Sequence, residues 1–219
     1  MTPQDVARFV MRRVLPFKER KRRAALKSAL SELALQTQKS TTRDFEASTV
    51  ILNIALFLLI TERDIQALKI DALTHPDKWH RSLCTRVILL TVHGRDIDKV
   101  AGQKLRQALE TIKAPDDMKR AANESLRTLR RVQKKAESDF EFLRNATIAH
   151  RDPDALTQYR SILQIDEMKV LNLAAEFSTA ATAFITLLPN LFLQSGTLPS
   201  IVNQFSQREK KNAASRSEL

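Results

Sequence analysis

The sequence predicts an all-α fold, an antiparallel four-helix bundle with an additional N-terminal basic helical arm. Three observations predict it. Only three of the 219 residues are glycine and seven are proline. Ala, Leu, Arg, Lys, Gln and Glu, all good helix formers, dominate the composition. No stretch sustains a period-two alternation bounded by turn signals, as half-buried strands do. The length suffices for one sizeable core with an accessory arm. The expected division is a basic arm over 1–40, a helical bundle over 41–194, and a polar, flexible tail over 195–219.

Taken in order, residues 3–37 read as helix with an interruption near Pro16, which lacks a backbone N–H. Within them "FKERKRRAALK" gathers Lys18, Arg20, Lys21, Arg22, Arg23 and Lys27, either a solvated face or an arm that touches phosphates. "KSTTRD" is a break, and Thr41 with Asp44 resembles a capping box that would open the next helix. That helix runs through "FEASTVILNIALFLLITERDIQALKIDAL", whose apolar residues nearly encircle its middle, so it belongs at the centre of a bundle. "THPDK" breaks the chain again, and "WHRSLCTRVILLTVH" follows as helix with Gly94 as its stop.

"RDIDKVAGQKLRQALETI" is amphipathic, continues the same antiparallel arm and ends at Pro115. Asp116 and Asp117 suit a helix start, where they complement the macrodipole. The helix they open can reach His150 or Arg151. Leu126, Leu129, Ala136, Phe140 and Leu143 form its three-four stripe, with Gln133 as the polar member. Pro153 ends the run by disfavouring helical geometry at Asp152. "PDALTQYRSILQ" reads as a loop, and Asp166 opens the last long helix. The apolar run "VLNLAAEFSTAATAFITLLPNLFL" has the roughly 20 residues that a membrane span needs. It also carries Asn172, Glu176 and Pro189, so a buried helix is expected and membrane insertion is not.

The net charge of +11 favours nucleic acid or another acidic partner. Arg127, Arg131, Lys134 and Lys135 on the outer faces of the 116–150 helix, with Arg151 and the arm's Arg20, Arg22 and Arg23, are the candidate RNA-binding side chains. The single cysteine, Cys84, cannot form an internal disulfide and lies in the apolar run "SLCTRVILL", which fits core packing in a reducing compartment. The basic N-terminus has no apolar core or cleavage site of a signal peptide, so a cytoplasmic protein is expected. His75 and His80 flank a helix start and His93 stands alone. No HExxH motif, cysteine cluster or glycine-rich phosphate loop is present, so neither a metal nor another cofactor is expected. Trp79 and Tyr159 read as packing residues.

The chemistry concentrates in "LRNATIAHRDPD", Leu143 to Asp154. A histidine in the last turn of a helix feels partial negative charge and exchanges a proton near neutral pH. His150 is therefore the candidate acid or base. Arg144 offers a permanent charge on a planar fork suited to a phosphate, and Asn145 can orient either group or a ribose hydroxyl. Together they suit transesterification of RNA, in which a base activates the 2′-hydroxyl and arginine offsets charge on the phosphorane. Six residues at about 100° each leave Arg144 and His150 roughly 120° apart on an ideal helix, and about 9 Å apart along its axis. A two-fold dimer resolves this by juxtaposing two arginines and two histidines. The competing reading is that both side chains only bond the last carbonyls of a helix.

"RNATIAHRD" resembles the signature of the HEPN superfamily: arginine, a polar residue, a few residues, then histidine, near the end of the third core helix with one long helix after it. The likeness covers roughly residues 42–193 and extends to HEPN proteins of the abortive-infection kind. It implies a helical bundle, dimerisation through the motif face, and metal-independent ribonuclease activity with Arg144, Asn145 and His150 as the site. It also implies a role in phage defence or a toxin–antitoxin system, with an antitoxin or defence-system protein as partner. The alternative within the same family is a non-catalytic module that binds RNA, nucleotide or a partner protein.

Overall fold

The computed structural model describes residues 3–94, 96–144 and 154–217, apart from the side chains of 4, 142–144, 210–212 and 214–217. Among the described residues the regular structure is helical and contains no strand. In chain order the helices are α1 (Pro3–Thr42), α2 (Glu46–Thr74), α3 (Lys78–His93), α4 (Ile97–Val100), α5 (Gly102–Thr111), α6 (Asp116–Arg144), α7 (Ala155–Leu163), α8 (Glu167–Ile185), α9 (Leu188–Ser195) and α10 (Leu198–Ser217). The all-α class therefore holds.

The chain divides into two compact units. The first takes Met1–Lys27, Ile60–Arg95 and Leu129–Thr179; the second takes Ser28–Leu59, Asp96–Thr128 and Ala180–Leu219. Four of the five boundaries fall inside α1, α2, α6 and α8 and the fifth falls between α3 and α4, so the stretch expected as a separate arm contributes to both units.

In the first unit, α3 buries Cys84, Ile88, Leu89 and Val92, α6 buries Leu129, Val132, Ala136 and Phe140, and α8 buries Val170, Leu173, Ala174 and Phe177. Each set recurs at three- and four-residue spacing, the pattern that puts side chains on one helix face. α1 joins this unit through Leu26 and through charge. Arg22 Nη2 lies 2.7 Å from Glu62 Oε1, and Lys69 Nζ lies 3.0 Å from Glu19 Oε1. Gln66 Nε2 donates to the same Glu62 oxygen at 3.0 Å, and the Ser178 hydroxyl donates to the other. Burial pushes the Cys84 thiol up, consistent with a packing role.

In the second unit, Ile51, Leu52, Ile54, Ala55 and Leu58 of α2 are buried over an arc of about 160° at the helical turn angle, while Asn53 opposite them is exposed, so burial is one-sided where the apolar wrap predicted it nearly all round. Leu105, Ala108 and Leu109 of α5, Leu126 of α6, Phe184 of α8 and Leu191 of α9 complete the core. The last carbonyls of α5 have no partner inside their own helix. Ser200 Oγ and Gln194 Nε2 (3.1 Å) donate to the carbonyl of Ile112, and Asn203 Nδ2 (3.3 Å) donates to that of Thr111. These bonds tie α9 and α10 to the end of α5.

Four local expectations are corrected. α1 continues through Pro16 without a break, at the cost of one helical hydrogen bond. Thr41 does not open α2. It is still inside α1, and its hydroxyl donates to the carbonyl of Thr37 at 2.9 Å. The stretch expected as a loop after Pro153 is α7, because Asp154 caps it. The stretch expected as a flexible tail is helix α10, anchored by Gln204, whose Oε1 accepts from Ser48 Oγ at 2.9 Å, and by Phe205, whose ring meets that of Phe45 edge-on at 5.3 Å.

α1 and α5 end alike. Asp44 N donates to Thr41 O (3.0 Å) and Phe45 N to Ser40 O (3.0 Å); Lys113 N donates to Glu110 O (3.0 Å) and Ala114 N to Leu109 O (2.9 Å). These are paired Schellman bonds, whose pivot residue must be left-handed. Asp44 (φ 55°) and Lys113 (φ 51°) fill the place that glycine usually takes. The left-handed conformation costs an L-residue about 1–2 kcal/mol, of which glycine's extra chain entropy returns about half. Lys113→Gly is thus expected to stabilise the protein by about 0.5–1 kcal/mol, read as a higher urea midpoint. An unchanged or lower midpoint would remove strain at Lys113 as a cost to the fold.

Candidate active site at the end of α6

Arg144 is the last described residue of α6, and Asp154 is the first residue described after it. Asn145, His150 and Arg151 lie outside the described residues, as do the side chains of Arg144 and Leu143 and the expected continuation of the helix to His150. The site is therefore described through the elements that hold its two ends, all in the first unit.

On the α6 side, Phe140 is buried and the Lys169 ammonium lies 5.3 Å from its ring centroid. Lys169 also pairs with Asp139 at 3.5 Å, and Lys135 pairs with Glu176 at 2.6 Å. About one turn and about two and a half turns before Arg144, α6 is thus tied to α8. On the α7 side, Asp154 accepts from the N–H of Leu156 (2.9 Å) and the hydroxyl of Thr157 (2.6 Å). Ser161 and Ile162 are buried, and Lys78 Nζ donates to the carbonyl of Leu163 at 2.9 Å. Arg81 then closes the frame: its Nε donates to the Glu167 carboxylate at 3.1 Å, while its Nη1 donates to the carbonyls of His75 (2.8 Å) and Pro76 (3.1 Å).

The other candidate residues are distributed. Arg20, Arg131 and Lys134 are exposed. Arg22 is engaged with Glu62, Lys135 with Glu176, and Arg127, which belongs to the second unit, with Glu124 at 3.0 Å. The Nε of Arg23 is buried. Trp79 and Tyr159 stack at 6.1 Å, and both are about half exposed. His75 and His80 stack at 3.8 Å around Asp77. Among the described residues no group of three or more His, Cys, Asp and Glu could hold a metal ion.

Sequence reasoning passed over Asp154, whose spacing to Thr157 is that of a helix N-terminus. It also passed over Arg81 and Glu167, whose pairing across 86 residues leaves no local signature. No protein-family model, curated protein or solved structure matches the chain.

Three cap carboxyls are held below the usual range: Asp154 by the Thr157 hydroxyl and then the Leu156 N–H, Asp77 by the His80 and Trp79 N–H groups, and Asp96 by the Lys99 N–H. A carboxyl lowered on folding stabilises the fold above its unfolded pKa, about 3.9. That contribution is lost as the pH falls through the lowered value. Thermal melts taken from neutral pH to below about pH 3 should therefore fall more steeply for the native chain than for an Asp77→Asn, Asp96→Asn, Asp154→Asn variant. That variant keeps one acceptor oxygen at each cap and loses their titration, so only the slope with pH is compared and not the stability at neutral pH. Parallel profiles would mean that these caps do not set the acid limb.

Proposed function

We propose that this protein is a metal-independent endoribonuclease of the HEPN kind, a homodimer acting in phage defence or as the toxin of a toxin–antitoxin pair. The observation that carries the reading is the Arg144-Asn145-x4-His150 spacing, set immediately after a long amphipathic helix that ends its described course at Arg144 and immediately before a capped helix. In the reaction, one His150 takes the proton of a ribose 2′-hydroxyl, and the oxygen attacks the adjacent phosphorus. The bond to the 5′ oxygen breaks, a second histidine protonates that leaving oxygen, and a 2′,3′-cyclic phosphate remains. Arg144 pairs with the phosphorane oxygens, and Asn145 orients the sugar or the imidazole.

The need for both an acid and a base, with one suitable histidine per chain in the motif, favours a two-fold dimer. An exposed apolar strip supports it: Trp79, Leu83 and Val87 on α3, with Leu156 and Tyr159 on α7, are 38% to 52% exposed. α7 follows the motif directly, so a contact made across this strip brings two motif segments near one axis.

Incubation of the purified protein with total RNA in EDTA tests the reading. His150→Ala is expected to lower cleavage by about 10²–10⁴, the range for a lost acid–base group, with its circular dichroism unchanged. Full cleavage by a folded His150→Ala protein would end the assignment. RNA binding without cleavage by either protein would select the non-catalytic module.

The dimer has its own test. Arg144→Ala and His150→Ala chains, each inactive alone, should partly regain activity when mixed and allowed to exchange subunits, because some mixed dimers hold one complete pair. A protein that light scattering shows to be monomeric, yet still cleaves RNA at the same dilution, rules the shared site out.

A further inference from the structure

The first turns of α1 are built the wrong way round for a helix that serves only its own fold. Val6, Phe9, Val10, Met11, Val14 and Phe17 are 41% to 77% exposed. At about 100° per residue, all but Met11 share one side of the helix, and Met11 sits at its edge. The opposite side carries Arg8, Leu15, Glu19, Arg23 and Leu26. It is this side that meets the first unit, through buried Leu26 and the Glu19–Lys69 pair. A surface helix normally turns its apolar stripe inward and its charge outward. Here charge faces in and an apolar strip about 17 Å long, from residue 6 to residue 17 at the helical rise, faces out.

The charge around the strip identifies what can cover it. Residues 1–27 hold nine Lys and Arg against two acidic residues, Asp5 and Glu19. Both acids are on the inward side. Arg20 borders the strip on the Phe9 edge, Lys18 borders it on the Val14 edge, and Lys21 lies beyond Phe17. Arg13 sits within it, its guanidinium 4.5 Å from the Phe9 ring centroid. A second copy of the chain would set this cluster of cations against itself. An anionic lipid surface meets both demands at once. The apolar side chains enter the boundary between headgroups and acyl chains, and cations on both edges stay level with the lipid phosphates.

We infer that the outward face of α1, from Val6 to Lys21, docks the protein on an anionic lipid bilayer. This lies beyond the nuclease reading and does not depend on it. Flotation of the full chain with vesicles at physiological salt tests it. The native protein should bind phosphatidylcholine vesicles containing phosphatidylserine and not vesicles of phosphatidylcholine alone.

Phe9→Gln with Phe17→Gln keeps every charge and removes the two largest apolar groups. It should weaken binding tenfold or more. Phe17→Ser alone, at a position 77% exposed, should weaken it in the same direction without touching the core. Equal binding by the native and Phe-substituted chains would reduce the contact to non-specific attraction of a basic protein and overturn the proposal. So would failure to bind either vesicle, or a Phe variant whose only change is conversion of a dimer to a monomer.

Discussion

Three helices of the first unit converge on one carboxylate. Glu62 of α2 is 8% exposed, and its oxygens accept from Arg22 of α1, Gln66 of its own helix and Ser178 of α8. A carboxylate removed from water without donors would give up its charge or force the helices apart. With donors from three directions it becomes a pin. The pin matters most for α1, whose described residues in this unit bury a single apolar side chain, Leu26. Arg22 is half exposed, so the pair is worth nearer about 1 kcal/mol than the several of a fully buried one. The attachment of α1 is therefore specific in geometry and modest in strength, and more sensitive to salt than the apolar contacts of α3, α6 and α8.

Anchored helices also flank the proposed motif. A reactive constellation must be held to within about half an ångström, which scaffolding helices achieve better than loops. α6 is tied to α8 through Lys135 and Lys169, and α7 is tied to the start of α3 through Lys78 and the stacked Trp79 and Tyr159. Arg81 then fixes α8 to the turn before α3.

How far the sequence could be read depended on whether the signal was local. The Asp116 and Asp166 starts and the three-four stripe of α6 are encoded within a few turns, and each appears where its pattern puts it. Val132 extends that stripe beyond the residues read from it. α7 was missed although its Asp154 cap is local; α10 and Pro16 were misread because what settles their helicity lies at a distance. α10 looked too polar to fold, yet Ser200, Asn203 and Gln207 each bond α5 residues some ninety positions earlier. Pro16 looked like a break because a proline's cost is visible in sequence and the remaining bonds of a 40-residue helix are not. Thr41 and Asp44 imitated a start because the bonds that end α1 use residues also common at beginnings. The candidate site was read from its spacing alone, and its supporting pairs, Arg81–Glu167 and Lys135–Glu176, could not be anticipated without knowing which helices meet.

The division into two units carries a consequence for how the protein comes into being. Each unit is drawn from three separated stretches, and the last stretch of each ends in α8 or beyond. A chain emerges from the ribosome N-terminus first, so α1, α2 and α3 leave the exit tunnel long before their partners exist. Neither unit has a complete core until residues of α8 have been made. An RNA-cutting site of the kind proposed, with α6 and α7 waiting for α8, would stay unassembled until the chain through α8 had left the exit tunnel.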